Sequence, residues 1–196
     1  GRALWILDDL TPLHQISDDV VKSNYYLYKP RDASAELSVA YSIDGGHGKN
    51  PPQGAQINYV LNKQLPEDTS MSIEILDTNG EVVHSEYSDL QLKGCDTLMK
   101  PQLKRTIGAH RYRWNMKIGR FDCLKELYTT NRDLTAYNAA PGKYQVRLKI
   151  GNFSQTQDFE IQIDPRIENS IPNAAAAYIE RDKISKSIYQ GATEMT

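Results

Sequence analysis

A chain of 196 residues with 24% charged side chains, 39% hydrophobic side chains and a net charge of −2 has the balance of one ordinary folded domain plus appendages. It lacks the basic surplus that non-specific nucleic-acid binding needs, so no nucleic acid is expected as a partner. No apolar run approaches the roughly 18 residues of a membrane-spanning helix, and no secretory leader pattern is visible.

In chain order, Leu4-Trp-Ile-Leu7 reads as a short buried-type strand ended by Asp8-Asp9, and residues 11–22 hold at most one short helical turn. Tyr25-Tyr-Leu-Tyr28 is strand-like and is broken by Lys29-Pro-Arg-Asp32. Leu37–Ile43 is a weaker strand. The segment 44–54 carries four glycines and two prolines and cannot be a regular element. Its Gly48-Lys49 is followed by Asn50-Pro51-Pro52, so no helix start follows to receive a phosphate, and a phosphate loop is excluded. Ile57, Tyr59 and Leu61 alternate with polar residues, as do Met71, Ile73 and Ile75. Asp77-Thr-Asn-Gly80 turns that second run into Val82–Ser85. After an irregular connection, His110–Lys117 alternates with Tyr112, Trp114 and Met116 inward and Arg111 and Arg113 outward. A second long connection, 118–140, leads to the clearest signal in the chain.

That signal is the pair of alternating runs Gly142–Ile150 and Phe153–Ile163 around Gly151-Asn152, a hairpin by period and by turn chemistry. Tyr144, Val146, Leu148, Ile150, Phe159, Ile161 and Ile163 face one way, each worth roughly 1.5–3 kcal/mol when buried. A hairpin is marginal alone, so it needs a sheet and a covering layer. Beyond Asp164-Pro-Arg166, residues 172–190 read as an amphipathic helix. Pro172 stands in its first turn, Ala177, Ile184 and Ile188 form a stripe, and Gly191 lies past its end.

Short strands at near-regular spacing around a central Trp argue for an all-β immunoglobulin/fibronectin-like β-sandwich, with an N-terminal orphan strand and a C-terminal helix. The segments Ile73–Val83, Gly108–Trp114 and Ala140–Leu148 resemble the immunoglobulin-like domain of flagellar hook-capping proteins, with Asn115 where that family has Asp after the Trp. The order of Gly1–Asp9, Tyr28–Asp32, Asn50–Ala55 and Asp164–Arg166 is similar to the C-terminal region of bacterial β-propeller proteins with BNR or sortilin-like repeats, often labelled glycosyl hydrolases. The resemblance implies three parts: residues 1–24 as the end of a preceding propeller blade and its linker, 25–166 as the sandwich, and 167–196 as a helical extension. It further implies an exported parent protein, periplasmic, outer-membrane-associated or extracellular, and it carries over no catalytic residue.

The residue types of several chemistries are present without their spacing. Asp8-Asp9, Asp18-Asp19 and Glu67-Asp68 are sequence neighbours in turn-like contexts, unlike the flanking carboxyl pair of a glycosidase. His14, His47, His84 and His110 are scattered, and no nucleophile elbow is present. Cys95 and Cys123 have no His at ligand spacing. They are either unrelated thiols or a disulfide closing a loop of about 28 residues, worth roughly 3.5 kcal/mol and suited to an exported protein. No catalytic, cofactor-binding or metal-ligating residue is therefore assigned. Among the tyrosines, Tyr25, Tyr26, Tyr28, Tyr128 and Tyr137 are the least committed to the core, and Tyr128 and Tyr137 are the candidate glycan contacts. The expected function is a non-catalytic accessory domain that braces a preceding propeller or self-associates through the 1–9 strand or the 172–190 helix. A carbohydrate-binding module and a glycoside hydrolase fragment are the alternatives.

Overall fold

The structure, a computed structural model, describes residues 9–35, 53–89, 103–120 and 135–194. The strands predicted at 4–7 and 37–43, and both cysteines, lie outside the described residues. A 3-10 turn at Leu13–Gln15 and helix α1, Asp18–Lys22, precede the strands β1 Tyr25–Leu27, β2 Ala33–Ala35, β3 Ala55–Leu61, β4 Met71–Leu76 and β5 Val82–Tyr87. Then follow β6 Gly108–Trp114, β7 Lys117–Arg120, β8 Thr135–Asn138, β9 Gly142–Ile150 and β10 Phe153–Ile163, with helices α2 Pro165–Ser170 and α3 Ala174–Glu194 closing the chain. The fold is β-rich, and among the described residues the strands form three sheets, ordered β1-β3-β6, β2-β10-β9-β4-β5 and β7-β8.

The predicted hairpin is the spine of the five-stranded sheet. β9 and β10 pair antiparallel from Ile150↔Phe153 to Gly142↔Ile161, with the positive φ of the turn (54°) at Gly151, the first central position. β4 adds to the other side of β9, with Ile73 opposite Leu148 and Glu74 opposite Arg147. The Asp77–Gly80 turn forms as read: Asp77 Oδ1 accepts from the backbone N–H of Asn79 (2.8 Å) and of Glu81 (3.0 Å), and Gly80 takes φ 79°.

One apolar cluster joins the two larger sheets. Leu27, Ile57, Tyr59, Leu61 and Trp114 of the three-stranded sheet pack with Ile73, Ile75, Val146, Leu148, Phe159 and Ile161 of the other. Trp114 is fully buried, with its ring edge-on to Tyr144 at 5.9 Å and to Phe159 at 6.3 Å between centroids. Burial of a side chain of that size is worth on the order of 4–6 kcal/mol before chain entropy is counted. A polar seam adds to the apolar one. Gln155 of β10 accepts the Leu27 N–H at 2.8 Å and returns an N–H to the Leu27 carbonyl at 3.3 Å, so its amide pairs β1 as a neighbouring strand would.

Several boundaries differ from expectation. β6 stops at Trp114 rather than running on through Met116, because Met116 sits in the left-handed region at φ 59° and reverses the chain. The connection expected at 118–140 contains the β7–β8 pair at its two ends. α3 begins after Pro172 and runs through Gly191 instead of stopping before it. The helix also docks on a stripe other than the one read from its isoleucines. Ala174 is buried and Tyr178, Arg181, Ser185 and Tyr189 are half-buried, whereas Ala177, Ile184 and Ile188 face outward. The polar stripe has partners to meet: Arg181 donates to the carbonyls of Ala139 (3.2 Å) and Asn138 (3.4 Å), and Tyr189 lies 5.9 Å from the Tyr137 ring.

Candidate functional site

The most built-up surface feature lies where α3 meets the end of β6 and the ends of the β7–β8 pair. The reversal after Trp114 is held by three hydrogen bonds. The Trp114 indole N–H donates to the Lys117 carbonyl (3.0 Å), the Lys117 N–H to Asn115 Oδ1 (3.2 Å), and the Ala139 N–H to the Met116 carbonyl (2.7 Å). These bonds hold Met116 in a backbone conformation that a non-glycine residue rarely adopts. A cavity of about 530 Å³ opens above this turn, lined by Arg113 and Lys117 on the sheet side and by Tyr178 and Arg181 on the helix side. The Arg181 guanidinium is fixed twice, by the two backbone carbonyls and by the Tyr178 ring, whose centroid lies 4.7 Å away. The stem of Arg113 runs beside Gly54, where a β-carbon would lie 3.4 Å from it.

A second, more open groove of about 710 Å³ runs along the Asp77–Gly80 turn and the start of β9, and its charged lining includes Lys29, Asp32, Lys143 and Glu160. Its carboxylates are engaged in the fold. Asp77 shapes its turn, Asp32 accepts from the Glu160 N–H (3.0 Å) and the Gln162 amide (3.2 Å), and Asp158 accepts from Gln145 (2.8 Å). The aromatic residues beneath it, Tyr144 and Phe159, are buried and offer no open ring face.

Of the acidic and basic residues singled out in the sequence, Asp8 lies outside the described residues, and Asp9 and Arg111 pair with each other. Burial pushes the Asp9 carboxyl up, but hydrogen bonding from Thr11 and the charges of Arg111 and Arg31 outweigh it and hold it below the usual carboxylate range. Its partners are the Thr11 N–H (3.0 Å), Asn58 (3.4 Å) and Arg111 (3.5 Å). Arg111 itself donates to Asn58 Oδ1 at 2.9 Å. Asp18 and Asp19 occupy the first turn of α1, and Glu67 and Asp68 an exposed turn. Glu74 takes both Arg147 (2.8 and 2.5 Å) and Lys149 (3.4 Å) across neighbouring strands. Asp164 caps α2 and is clasped by Arg166, whose hydrogen bonds lower its pKa.

Of the histidines, His84 meets the Tyr112 hydroxyl at 2.8 Å and lies 5.9 Å from the Trp114 ring, bridging the two larger sheets, and His110 contacts the Thr106 carbonyl at 2.5 Å. His14 is exposed in the 3-10 turn, and His47 lies outside the described residues. Among the described residues no group of three or more His, Cys, Asp or Glu is placed to hold a metal, and no helix is long and apolar enough to cross a membrane.

The candidate glycan tyrosines divide. Tyr128 lies outside the described residues. Tyr137 is half-buried with one side against Tyr189, and its pKa is raised by burial first and then by Asp182, Tyr189 and Asp77. Tyr25 packs edge-on to Phe153 (5.6 Å), and Tyr26 and Tyr28 pack on each other (5.3 Å) over Val20 and Val60. The sequence reading passed over Lys117, Tyr178 and Arg181, which share a wall only once the chain has folded. The one local hint was Asn115, a residue suited to a turn immediately after an alternating run. No family model matches the chain, and no curated protein matches it.

Proposed function

We propose that this chain is an immunoglobulin-like accessory domain of an exported bacterial β-propeller protein, bracing its neighbours through protein contacts and carrying no catalytic centre. The strand order supports the fold half of this reading. Taking β1, β3 and β6 as strands A, B and E, and β10, β9, β4 and β5 as G, F, C and C′, reproduces the two-sheet order of such a sandwich. β2 is then the continuation of A that crosses to pair with G. Tyr144, early in the F equivalent, donates its hydroxyl to the Ala140 carbonyl at 2.9 Å, the arrangement known as a tyrosine corner. Two positions on, where antibody domains carry a disulfide cysteine, Val146 is fully buried. The segments resembling hook-capping domains coincide with β4–β5, β6 and the start of β9.

The observation that carries the functional half is the face α3 turns to solvent. Ile179, Ile184 and Ile188 are 68%, 51% and 66% exposed, while polar and aromatic residues make the intramolecular contact. A helix that spends its polar side on its own domain keeps its isoleucines for a second surface. Leu13, Ile16 and Val21 are similarly exposed before β1. The carbohydrate-binding reading draws less support, since Tyr25, Tyr26 and Tyr28 are engaged in packing.

The test is hydrogen exchange on the full-length protein, wild type against an Ile184→Lys/Ile188→Lys double variant. Bracing predicts faster exchange in α3 and in whichever neighbouring segment covers it. Identical exchange in both proteins, outside the substituted turns, would sink the proposal.

A further inference from the structure

We propose that Asn79-Gly80, at the tip of the β4–β5 hairpin, is a fold-gated deamidation site: the closed turn restrains the pair, and each opening of the hairpin exposes Asn79 to conversion into an acid. This goes beyond the bracing role and does not depend on it. The pair is the one Asn-Gly in the sequence. Glycine has no β-carbon to shield its backbone nitrogen, so that nitrogen can reach the side chain before it. Asn79 and Gly80 are both exposed, and among the described residues nothing lies within 4 Å of where a β-carbon on Gly80 would stand. In the reaction the Gly80 nitrogen loses its proton and bonds to Asn79 Cγ, and the Cγ–Nδ2 bond breaks to release ammonia. Water then opens the cyclic imide at one of its two carbonyls. The product is aspartate, or isoaspartate, in which the main chain runs through the side-chain carbon.

The turn holds both reacting groups off that path. The Gly80 N–H donates to the Asp77 carbonyl (3.0 Å), so its nitrogen must leave a hydrogen bond before it can attack. The Asn79 side-chain amide donates to Asp77 Oδ2 (3.4 Å) and the Asn79 N–H to Asp77 Oδ1 (2.8 Å), so the group under attack is tied to Asp77 as well. Glu81 closes the loop, donating its N–H to Asp77 Oδ1 (3.0 Å) and accepting the Asp77 N–H (3.0 Å). One carboxylate thus keys the whole turn, and hydrogen bonds to an ionised group are the stronger kind. Where opening is fast compared with the chemistry, the rate of modification follows the fraction of molecules open. The product then acts back on the hairpin. A carboxylate at position 79 stands between Asp77 and Glu81, and isoaspartate lengthens a turn that sets Leu76 opposite Val82. Among the described residues β5 is the end strand of its sheet, held by β4 alone, so a lengthened turn loosens β5 first.

The full chain is incubated at mildly alkaline pH in native buffer and in concentrated guanidinium chloride. Each asparagine is followed by peptide mass and by an enzymatic isoaspartate assay. In guanidinium Asn79 should convert ahead of every other asparagine. In native buffer its rate should be lower by about tenfold or more, the population ratio that hydrogen bonds to a charged group sustain. Asp77→Ala removes the keying carboxylate and should raise the native rate severalfold while leaving the guanidinium rate unchanged. Asp77→Ser keeps one side-chain acceptor and should fall between the two, and it serves for the comparison if the alanine variant does not fold, as judged by tryptophan fluorescence. Gly80→Ala should slow conversion in both solvents, because its β-carbon shields the attacking nitrogen. Equal rates in the two solvents, another asparagine converting first in guanidinium, or a native rate unmoved in the folded Asp77 variants would overturn the proposal.

Discussion

Replacing Gly54 with Ala isolates how closely β3 and β6 approach where they start to pair. Gly54 has φ 115°, a region that disfavours any β-carbon, and precedes the Ala55↔Trp114 pair. A β-carbon there would lie 2.3 Å from the Trp114 carbonyl oxygen, which is backbone and cannot swing aside as a side chain could. The backbone strain contributes about 1–3 kcal/mol and the forced separation a further 1–3, so the expected loss is about 4 kcal/mol. The natural control is Gly80→Ala, also at positive φ (79°) but with nothing within 4 Å of the added methyl, for which only about 1–2 kcal/mol is expected. Urea unfolding followed by tryptophan fluorescence measures both, with unchanged m-values showing that the denatured states match. By melting temperature, Gly54→Ala should fall by roughly 8–16 °C. Equal losses in the two variants, or a Gly54→Ala within about 0.5 kcal/mol of wild type, would refute the close-approach argument.

Tyr144→Phe removes the hydrogen bond to Ala140 and should cost about 1 kcal/mol in the same urea assay. It should also delete a late step from the alkaline ultraviolet titration, since burial first, and the charges of Asp182, Tyr137 and Asp77 after it, push that phenol up to about 12. Tyr59, raised to about 12 by burial, should keep its own late step in that variant. Asp9, whose folded pKa is depressed, contributes stability that is complete above its unfolded value of about 4 and fades as the pH falls through the folded value. Asp9→Asn should therefore be less stable at neutral pH, with the gap to wild type closing on acidification, as scanned by melting temperature from about pH 6 to pH 2.5. A gap independent of pH would place the loss elsewhere than in the charge.

The long elements were legible because alternating apolar and polar residues write a strand's period into the sequence, whether the second face is open, as along β9, or covered, as along β4. β3, β4 and the β9–β10 hairpin each place enough residues on one face for the alternation to be read. β2 has three residues and β7 and β8 four each, too few to show a period. Their pairing is decided by which strand edge lies alongside. The α3 stripe was misread for a different reason. Hydrophobicity located the isoleucines, but docking follows what the body offers, here the carbonyls of Asn138 and Ala139 and the ring of Tyr137. The cavity was hidden by distance along the chain: Arg113 and Lys117 flank one turn, while Arg181 comes from a helix far downstream. Arg113 was visible only as an outward residue of an alternating run, which by itself describes any solvated face.

The parallel pairing of β2 with β10 sets how the domain bears mechanical load. Ala33, Ser34 and Ala35 align with Ile161, Gln162 and Ile163, and Asp32 ties into the same strand through the Glu160 N–H and the Gln162 amide. Tension entering ahead of β2 and leaving after β10 pulls these two strands lengthwise past each other. Their bonds are then strained together rather than peeled one at a time. A segment joined to flanking parts at both of these points would resist stretching as a lap joint does, with the Asp32 contacts as its end rivet.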